Sequence, residues 1–361
     1  MTVILFVVGL GGLVSGAEAL VRGASRLAAS IGVSPLVIGL TVVSFGTSAP
    51  ELAVSVHAAF VGQADVGLGN IVGSNICNVL LILGAAAAVA PLAIAARLVR
   101  FDVWVMISVS VVAFLLSLDG RVGRIDGLLL FAGAVIYTAW LIRENRRRNA
   151  TASAAGTSTD AQRPSGTRDG WLSSVGLVLL GLLLLVVGAR WLVNGAVVFA
   201  RALGISELIV GLTIVAVGTS LPELATSVVA AARGERDIAV GNVVGSNIFN
   251  VLVVLGLSAA VSPHGINVVR TALVFDVPIM VLVAFACLPI FFTGYRVDRW
   301  EGFLFLGCYA AYLVYLILDS TRSSALTWYR WGILGFALPL TIYVVAASVA
   351  HSLRRRGSVS V

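Results

Sequence analysis

Long apolar segments fill most of this chain and are separated by short polar or Arg-containing stretches. A helix of about 20 apolar residues is long enough to cross a hydrocarbon core about 30 Å thick. Eleven segments approach that length, so the pattern predicts an α-helical protein that crosses a membrane many times. The predicted spans are 3–20, 34–60, 67–90, 101–118, 127–142, 172–200, 207–232, 238–261, 272–293, 302–318 and 329–350.

One 46-residue segment occurs twice without a gap. Residues 39–84 and 211–256 align at an offset of 172, and 29 of the 46 positions are identical. Weaker matches extend the repeat on both sides, and Phe101-Asp102-Val103 recurs as Phe275-Asp276-Val277. Each repeat contains five spans, an odd number, so the second copy must enter the membrane from the opposite side. The sequence therefore predicts an all-α membrane protein with an inverted-topology repeat of 5+5 transmembrane helices plus one extra C-terminal helix.

This repeat divides the chain into four parts. Residues 1–142 form the first five-helix repeat, and residues 171–318 form the second, inverted one. Between them, residues 143–170 are rich in Arg, Ser, Thr and Ala, a composition that predicts a disordered cytoplasmic linker. Residues 319–361 contain the extra helix and a basic tail.

The charge distribution bears on orientation rather than on nucleic-acid binding. The net charge is +7, and all 24 basic residues are Arg, placed mostly between spans. If the linker is cytoplasmic, 17 Arg lie inside and 6 outside, which predicts an outer N-terminus and a cytoplasmic C-terminus in the cell (inner) membrane. Three Cys and three scattered His have no metal-ligand spacing, so no cofactor and no enzyme active site are expected.

The repeated segment contains a carboxylate within an apolar stretch, in GTSAPE at 46–51 and GTSLPE at 218–223. Pro50 cannot donate to the helix ladder, so the second span is expected to break here. Ser48 and Glu51 also fit a capping box, and one interpretation is that the carboxylate only caps a half-helix. An ionisable group at bilayer depth is, however, a functional-site candidate. Its carboxylate, hydroxyl and freed carbonyl oxygens would suit Ca²⁺, which takes about six to eight oxygens.

A second polar motif follows 27 residues later in each repeat. Ser74 and Asn78, like Ser246 and Asn250, are four residues apart and share one helix face. The asparagines could instead serve only as interhelical hydrogen-bonding groups. Two half-sites meeting at the membrane midplane would hold two carboxylates, whose charge one Ca²⁺ neutralises. Without a bound ion, two buried charges would be unpaired, so re-orientation should be favourable only when the site is loaded.

The paired segments GTSAPE/GTSLPE and GNIVGSNICN/GNVVGSNIFN resemble the α-repeats of the cation/Ca²⁺ antiporter superfamily, specifically prokaryotic sodium/calcium exchangers. The resemblance implies that Ca²⁺ and Na⁺ compete at overlapping midplane sites, and that spans one and six are sliding gate helices. It implies Glu51 and Glu223 as the carboxylates that hold Ca²⁺. The full candidate ligand set is Glu51, Glu223, Thr47, Thr219, Ser48, Ser220, Ser74, Ser246, Asn78, Asn250 and the backbone carbonyls of Ser44 and Ala216.

One departure from the family pattern concerns potassium. Some members, including potassium-dependent exchangers, have Asp at the position of Asn250, whereas Asn78 and Asn250 are both neutral here. The predicted function is Na⁺/Ca²⁺ exchange by alternating access, without K⁺ transport. A Ca²⁺/H⁺ antiporter and a cation channel are the alternatives. The predicted partners are Ca²⁺, Na⁺ and membrane lipids but not nucleic acid, and the sequence indicates no oligomeric state.

Overall fold

The computed structural model describes residues 2–61, 64–154, 168–204, 207–292 and 294–333. Within these ranges, eight helices are long and apolar enough to cross a membrane, and a bent pair brings the number of spans to nine. The helices of the first repeat are α1 Thr2–Ile31, α2 Pro35–Thr47, α3 Ala49–Phe60, α4 Gly67–Val89, α5 Leu98–Leu116 and α6 Arg124–Ala154.

The second repeat has the same order of helices. They are α7 Arg168–Ala202, α8 Leu221–Ala232, α9 Arg236–Val261, α10 Ala272–Phe292 and α11 Arg299–Ser320. Before α8, three short helical pieces make up the first part of the predicted seventh span, namely Glu207–Val210, Gly211–Val215 and Ala216–Gly218. A short helix α12, Ala325–Gly332, follows. The predicted eleventh span overlaps the end of α12 and otherwise lies outside the described residues.

Contacts between α1 and α7 confirm the inverted repeat. A Cβ atom added at Gly16 would lie 2.7 Å from the backbone nitrogen of Leu185, and one added at Gly188 would lie 2.6 Å from that of Leu13. Gly188 is the repeat equivalent of Gly16, and Leu13 is the repeat equivalent of Leu185, each at the offset of 172. The two contacts are therefore the same contact with the repeats exchanged. Such reciprocity is the signature of two-fold symmetry. Glycine at these positions lets the two antiparallel backbones approach closely.

Two short β-ribbons between the repeats give independent support. β1 Leu92–Ala93 pairs with β4 Arg296–Val297, and β2 Arg121–Val122 pairs with β3 Ile266–Asn267, both antiparallel. Each ribbon joins the connection after the third span of one repeat to the connection after the fourth span of the other. Successive connections lie on opposite sides of a membrane, so these pairs can form only if one repeat is inverted.

Helices α2, α4, α5, α9 and α10 contain π-helical turns. Of the three pieces before α8, the middle one, Gly211–Val215, is also a π-helical turn. These turns occupy equivalent places in the two repeats. The pairs are Gly39–Val43 and Gly211–Val215, Asn78–Leu83 and Asn250–Leu255, and Leu98–Asp102 and Ala272–Asp276. π turns inside α-helices are rare and often mark functional sites.

Helices α4 and α9 lie at the centre of the protein, and α1 and α7 lie at its periphery. In the most apolar window of each helix, 94% of the residues are buried in α9 and 78% in α4, against 33% in both α1 and α7. The polar motifs of α4 and α9 are therefore removed from lipid. The peripheral pair packs mainly on itself through the glycine contacts.

The linker departs from the sequence-based expectation. Its composition predicts disorder over 143–170, but α6 continues to Ala154 and α7 already begins at Arg168. Residues 143–155 contain no Gly or Pro and are rich in Arg and Ala, which are strong helix formers. Extending an existing helix also avoids the cost of nucleation. Low hydrophobicity therefore did not prevent helix formation here, and residues 155–167 lie outside the described ranges.

Candidate functional site

Both repeats have the helix break that the proline motif predicts. The axes of α2 and α3 differ by 46° at the break that separates Thr47 from Ala49. In each repeat Pro occupies the first turn of the following helix, where its missing N–H costs no helical hydrogen bond. Glu51 and Glu223 lie in these first turns, of α3 and α8 respectively.

The serine hydroxyls at the breaks bind the carboxylate of the other repeat. Ser48 is the N-cap of α3 and Ser220 that of α8, but neither side chain makes a capping hydrogen bond. Instead, Ser48 Oγ donates to Glu223 Oε1 at 2.8 Å, and Ser220 Oγ donates to Glu51 Oε1 at 3.0 Å. The capping-box interpretation is therefore wrong. The local spacing fits a cap, but the hydroxyl is used for a contact between repeats.

Each carboxylate also has an oxygen atom to which no described residue donates. Glu51 and Glu223 are both 1% exposed, and their Oε2 atoms have no hydrogen-bond partner in the part of the chain that the structure describes. None of the ion pairs found among those residues involves either glutamate. A buried, unpaired carboxylate costs several kcal/mol, and a bound cation or a proton would remove that cost.

The threonines that precede these serines also reach across the two-fold axis. Thr47 Oγ1 donates to Asn242 Oδ1 at 3.1 Å, and Thr219 Oγ1 donates to Asn70 Oδ1 at 3.3 Å. The structure thus places these Thr, Ser and Glu side chains in two symmetry-related networks. One joins the break before α3 to α8 and α9, and the other joins the break before α8 to α3 and α4.

Asn70 and Asn242 each belong to one of these networks, although the predicted ligand set did not include them. Asn70 Nδ2 donates to Ser55 Oγ at 3.1 Å, and Asn242 Nδ2 donates to Ser227 Oγ at 2.9 Å. The signal that could have found them is their recurrence as Gly-Asn in both copies of the motif. They act as connectors, since each amide uses its oxygen and its nitrogen on protein partners.

The second polar motif contributes oxygens with different surroundings. Ser74 Oγ lies 3.2 Å from Ser220 Oγ, which can accept its hydrogen, whereas the equivalent Ser246 Oγ is buried without a partner among the described residues. The amide oxygens of Asn78 and Asn250 are likewise buried with no donor within the described ranges. Five predicted ligands therefore have a buried oxygen that no described residue contacts by a hydrogen bond: Glu51, Glu223, Ser246, Asn78 and Asn250.

The backbone carbonyls behave differently from the expectation. Ser44 O accepts the N–H of Ser48 at 3.0 Å, so the break does not free this carbonyl, and a cation would bind to its second lone pair. In the second repeat, Ser220 N–H donates to Val217 O at 3.1 Å. Ala216 lies one residue earlier, at the start of a three-residue helix. The two half-sites thus differ in how the chain turns before the break.

The donor set is chemically uniform. In the residues that the structure describes, no group of three or more His, Cys, Asp or Glu side chains is arranged to hold a metal ion. The candidate site offers two carboxylates and neutral hydroxyl and amide oxygens. Oxygen-only sets favour hard cations such as Ca²⁺, whereas transition metals favour nitrogen and sulfur ligands.

Comparison with known proteins agrees with this chemistry. A family model described as sodium/calcium exchanger protein matches residues 1–143 and 173–318. The chain is 42% identical over 286 residues to inner membrane protein YrbG of Escherichia coli (strain K12), covering 79% of this chain and 87% of that protein. It is 33% identical over 343 residues to sodium/calcium exchanger MaX1 of Methanosarcina acetivorans, covering 87% and 97%. A solved structure of the sodium-calcium exchanger NCX_Mj superposes with a TM-score of 0.73 and 31% identity, over 86% of this chain and 96% of that chain.

Proposed function

Because the chain belongs to the sodium/calcium exchanger family, we propose that it is a secondary antiporter that exchanges Na⁺ for Ca²⁺ by alternating access. It is a multi-pass membrane protein of a transporter family. The proposal places the N-terminus outside and the C-terminus in the cytoplasm, as the Arg distribution favours. It requires no cofactor apart from the transported ions.

The reciprocal serine–carboxylate pairs support Ca²⁺ binding between the repeats. Each repeat supplies one glutamate, and a hydroxyl of the other repeat binds it. One Ca²⁺ neutralises Glu51 and Glu223 together, and their Oε2 atoms, which accept no hydrogen bond from a described residue, would coordinate it. Na⁺ ions would bind the same oxygens in several subsites. The proposed neutral ligands are Thr47, Thr219, Ser48, Ser220, Ser74, Ser246, Asn78, Asn250 and the carbonyls of Ser44 and Ala216.

The same two carboxylates explain why transport would be an obligatory exchange. Without cations or protons, both charges would be buried and unpaired, at a cost of several kcal/mol. Re-orientation is then favourable only when the site is loaded. The pair α1 and α7, which packs mainly on itself through close glycine contacts, is proposed to move over the central helices α4 and α9.

A Ca²⁺/H⁺ antiporter is the second candidate. The observation in its favour is that Glu51 Oε2 and Glu223 Oε2 have no cationic partner among the described residues. One proton on each of the two carboxylates would neutralise the charge of the site, just as bound Na⁺ ions would. The two candidates therefore differ only in the ion that replaces Ca²⁺.

A flux assay in reconstituted vesicles tests the function directly. We expect Ca²⁺ uptake to require Na⁺ on the opposite side and to stop when Na⁺ is replaced by an impermeant cation. Uptake that requires an opposing proton gradient instead would establish the second candidate. Uptake that requires neither gradient would indicate a channel. Protein-free vesicles with the same gradients give the leak rate.

Replacing Asn250 by Asp is expected to make exchange sensitive to K⁺ or to pH. Asn250 is 1% exposed and its amide oxygen has no partner among the described residues, so Asp would add a third buried carboxylate at the site. That charge needs an additional monovalent cation or a proton. The check is the rate of Ca²⁺ exchange with and without K⁺ across a pH series. Asn267→Asp, at an exposed amide in β3, is the matched control. A wild-type protein that already requires K⁺ would refute the inference.

A further inference from the structure

Two buried methionines contact the asparagines next to the candidate site. Met106 lies on α5 and Met280 on α10, 174 residues apart, the same spacing as the repeated Phe-Asp-Val segment. Asn247 Nδ2 donates to Met106 Sδ at 3.5 Å, and Asn75 Nδ2 donates to Met280 Sδ at 3.5 Å. Each contact joins the two repeats, and the pair obeys the same two-fold relation as the serine–glutamate pairs.

Each methionine begins a chain of two amides. Asn247 Oδ1 accepts from Asn78 Nδ2 at 3.0 Å, and Asn75 Oδ1 accepts from Asn250 Nδ2 at 3.0 Å. At the far end, the amide oxygens of Asn78 and Asn250 are buried and accept no hydrogen bond from any described residue. Each chain therefore runs from a sulfur, through two amides, to an oxygen without a donor among the described residues.

The sulfur determines which way each chain runs. The two ends of an amide side chain are nearly equal in shape, so its orientation depends on its partners. A thioether can only accept a hydrogen bond, and it therefore selects the NH₂ end of the adjacent Asn. If Asn247 were reversed, its oxygen would face Met106 Sδ and its NH₂ group would face that of Asn78. Asn78 would then have to reverse as well, and its NH₂ group would replace the oxygen.

We propose that Met106 and Met280 are positioning residues, which fix the amide chains so that Asn78 and Asn250 present oxygen rather than NH₂ to a transported cation. This inference rests on the proposed function, because it assumes that a cation occupies the site. The two sulfur atoms accept hydrogen bonds from asparagines that are themselves outside the proposed ligand set. An NH₂ group at either position would repel a cation, whereas an amide oxygen coordinates it.

The two methionines should not contribute equally. Asn75 Nδ2 has a second acceptor, the backbone oxygen of Asn247 at 3.3 Å, which also holds its orientation. For Asn247 Nδ2, Met106 Sδ is the acceptor that the structure shows within its described residues. Loss of the sulfur at Met106 should therefore have the larger effect.

The chain allows an unusually direct test because it contains only three Met, of which Met106 and Met280 are the internal ones. Norleucine in place of Met throughout replaces each sulfur by a methylene group and keeps the side-chain length. Selenomethionine keeps an acceptor atom. Met106→Leu and Met280→Leu separate the two positions, and Ile107→Leu is the matched control, a buried swap on the same helix. Titrations of the purified protein with Ca²⁺ alone and with Na⁺ alone measure cation affinity, and a thermal melt measures folding.

We expect norleucine to weaken binding of at least one of the two cations about threefold to tenfold, the range of one neutral hydrogen bond. The selenomethionine protein and Ile107→Leu should bind both cations with wild-type affinity. Met106→Leu should lower cation affinity more than Met280→Leu does. Unchanged affinity for both cations in the norleucine protein would overturn the proposal, as would equal weakening by selenomethionine. Because binding is measured without flux, failure of Na⁺/Ca²⁺ exchange in vesicles would refute the proposed function alone.

Discussion

Replacing either Glu51 or Glu223 by Gln is expected to lower Ca²⁺ exchange by about 100-fold or more. Each change removes half of the charge that the site offers to a divalent cation. It also leaves the remaining carboxylate to balance Ca²⁺ alone at a position that is 1% exposed. Removing one partner from a buried charged group costs about 3–5 kcal/mol, and about 1.4 kcal/mol corresponds to a factor of ten. Initial rates of Ca²⁺ uptake in vesicles, with an opposing Na⁺ gradient, measure the effect.

Both variants should be impaired, because each glutamate accepts a serine hydroxyl from the other repeat. Ser48 binds Glu223, and Ser220 binds Glu51. Asp119→Asn is the matched control, since it neutralises an exposed carboxylate in a connection between spans. Wild-type uptake by either glutamine variant would mean that the carboxylates are not the Ca²⁺ ligands. The buried glutamates would then require a structural explanation.

The fold could be predicted from the sequence largely because the chain contains an internal repeat, whose two copies can be aligned with each other. A gapless offset of 172 shows which positions recur, and an odd number of spans per repeat forces the inversion. The helix break at Pro50 also follows from local chemistry, since proline lacks the donor that a helix interior needs. These features depend on the spacing of residues along the chain and on the missing N–H of proline, both of which can be read from the sequence.

The partners of the site residues could not be predicted in the same way. Ser48 and Glu51 are three residues apart and satisfy the local rule for a cap, but Ser48 binds Glu223, which is 175 residues away. Likewise, nothing in the local pattern connects Met106 with Asn247. The inverted repeat tells which residues are equivalent, but only the packing of α4 against α9 and their neighbours decides which of them meet. In the linker, composition predicted disorder where the structure has the end of α6. Composition alone does not show that a helix formed by the preceding residues continues.

A label introduced at Gln63 is expected to react only from outside, and one at Glu235 only from inside. These positions are equivalent at the offset of 172, and the inverted repeat places equivalent connections on opposite sides of the membrane. The ribbons β1–β4 and β2–β3 require that inversion. The assignment of one membrane side as the outside and the other as the cytoplasmic side rests on the Arg distribution alone. Gln63 lies outside the described residues, so the experiment also tests a position that the structure does not describe.

Single-cysteine variants labelled with an impermeant maleimide in intact and in permeabilised cells provide the measurement. Cys77 and Cys287 are buried and Cys308 is half-buried, so a background with all three replaced by Ala keeps the native thiols from reacting. Labels near Ser153 and Ser358 should both react only after permeabilisation, since linker and tail are expected in the cytoplasm. If all four labels report the reverse side, the orientation is wrong but the inversion stands. If Gln63 and Glu235 react from the same side, the repeats are not inverted. In that case Ser48 and Ser220 could not bind the opposite carboxylates by a two-fold relation, and a shared site between the repeats would be excluded.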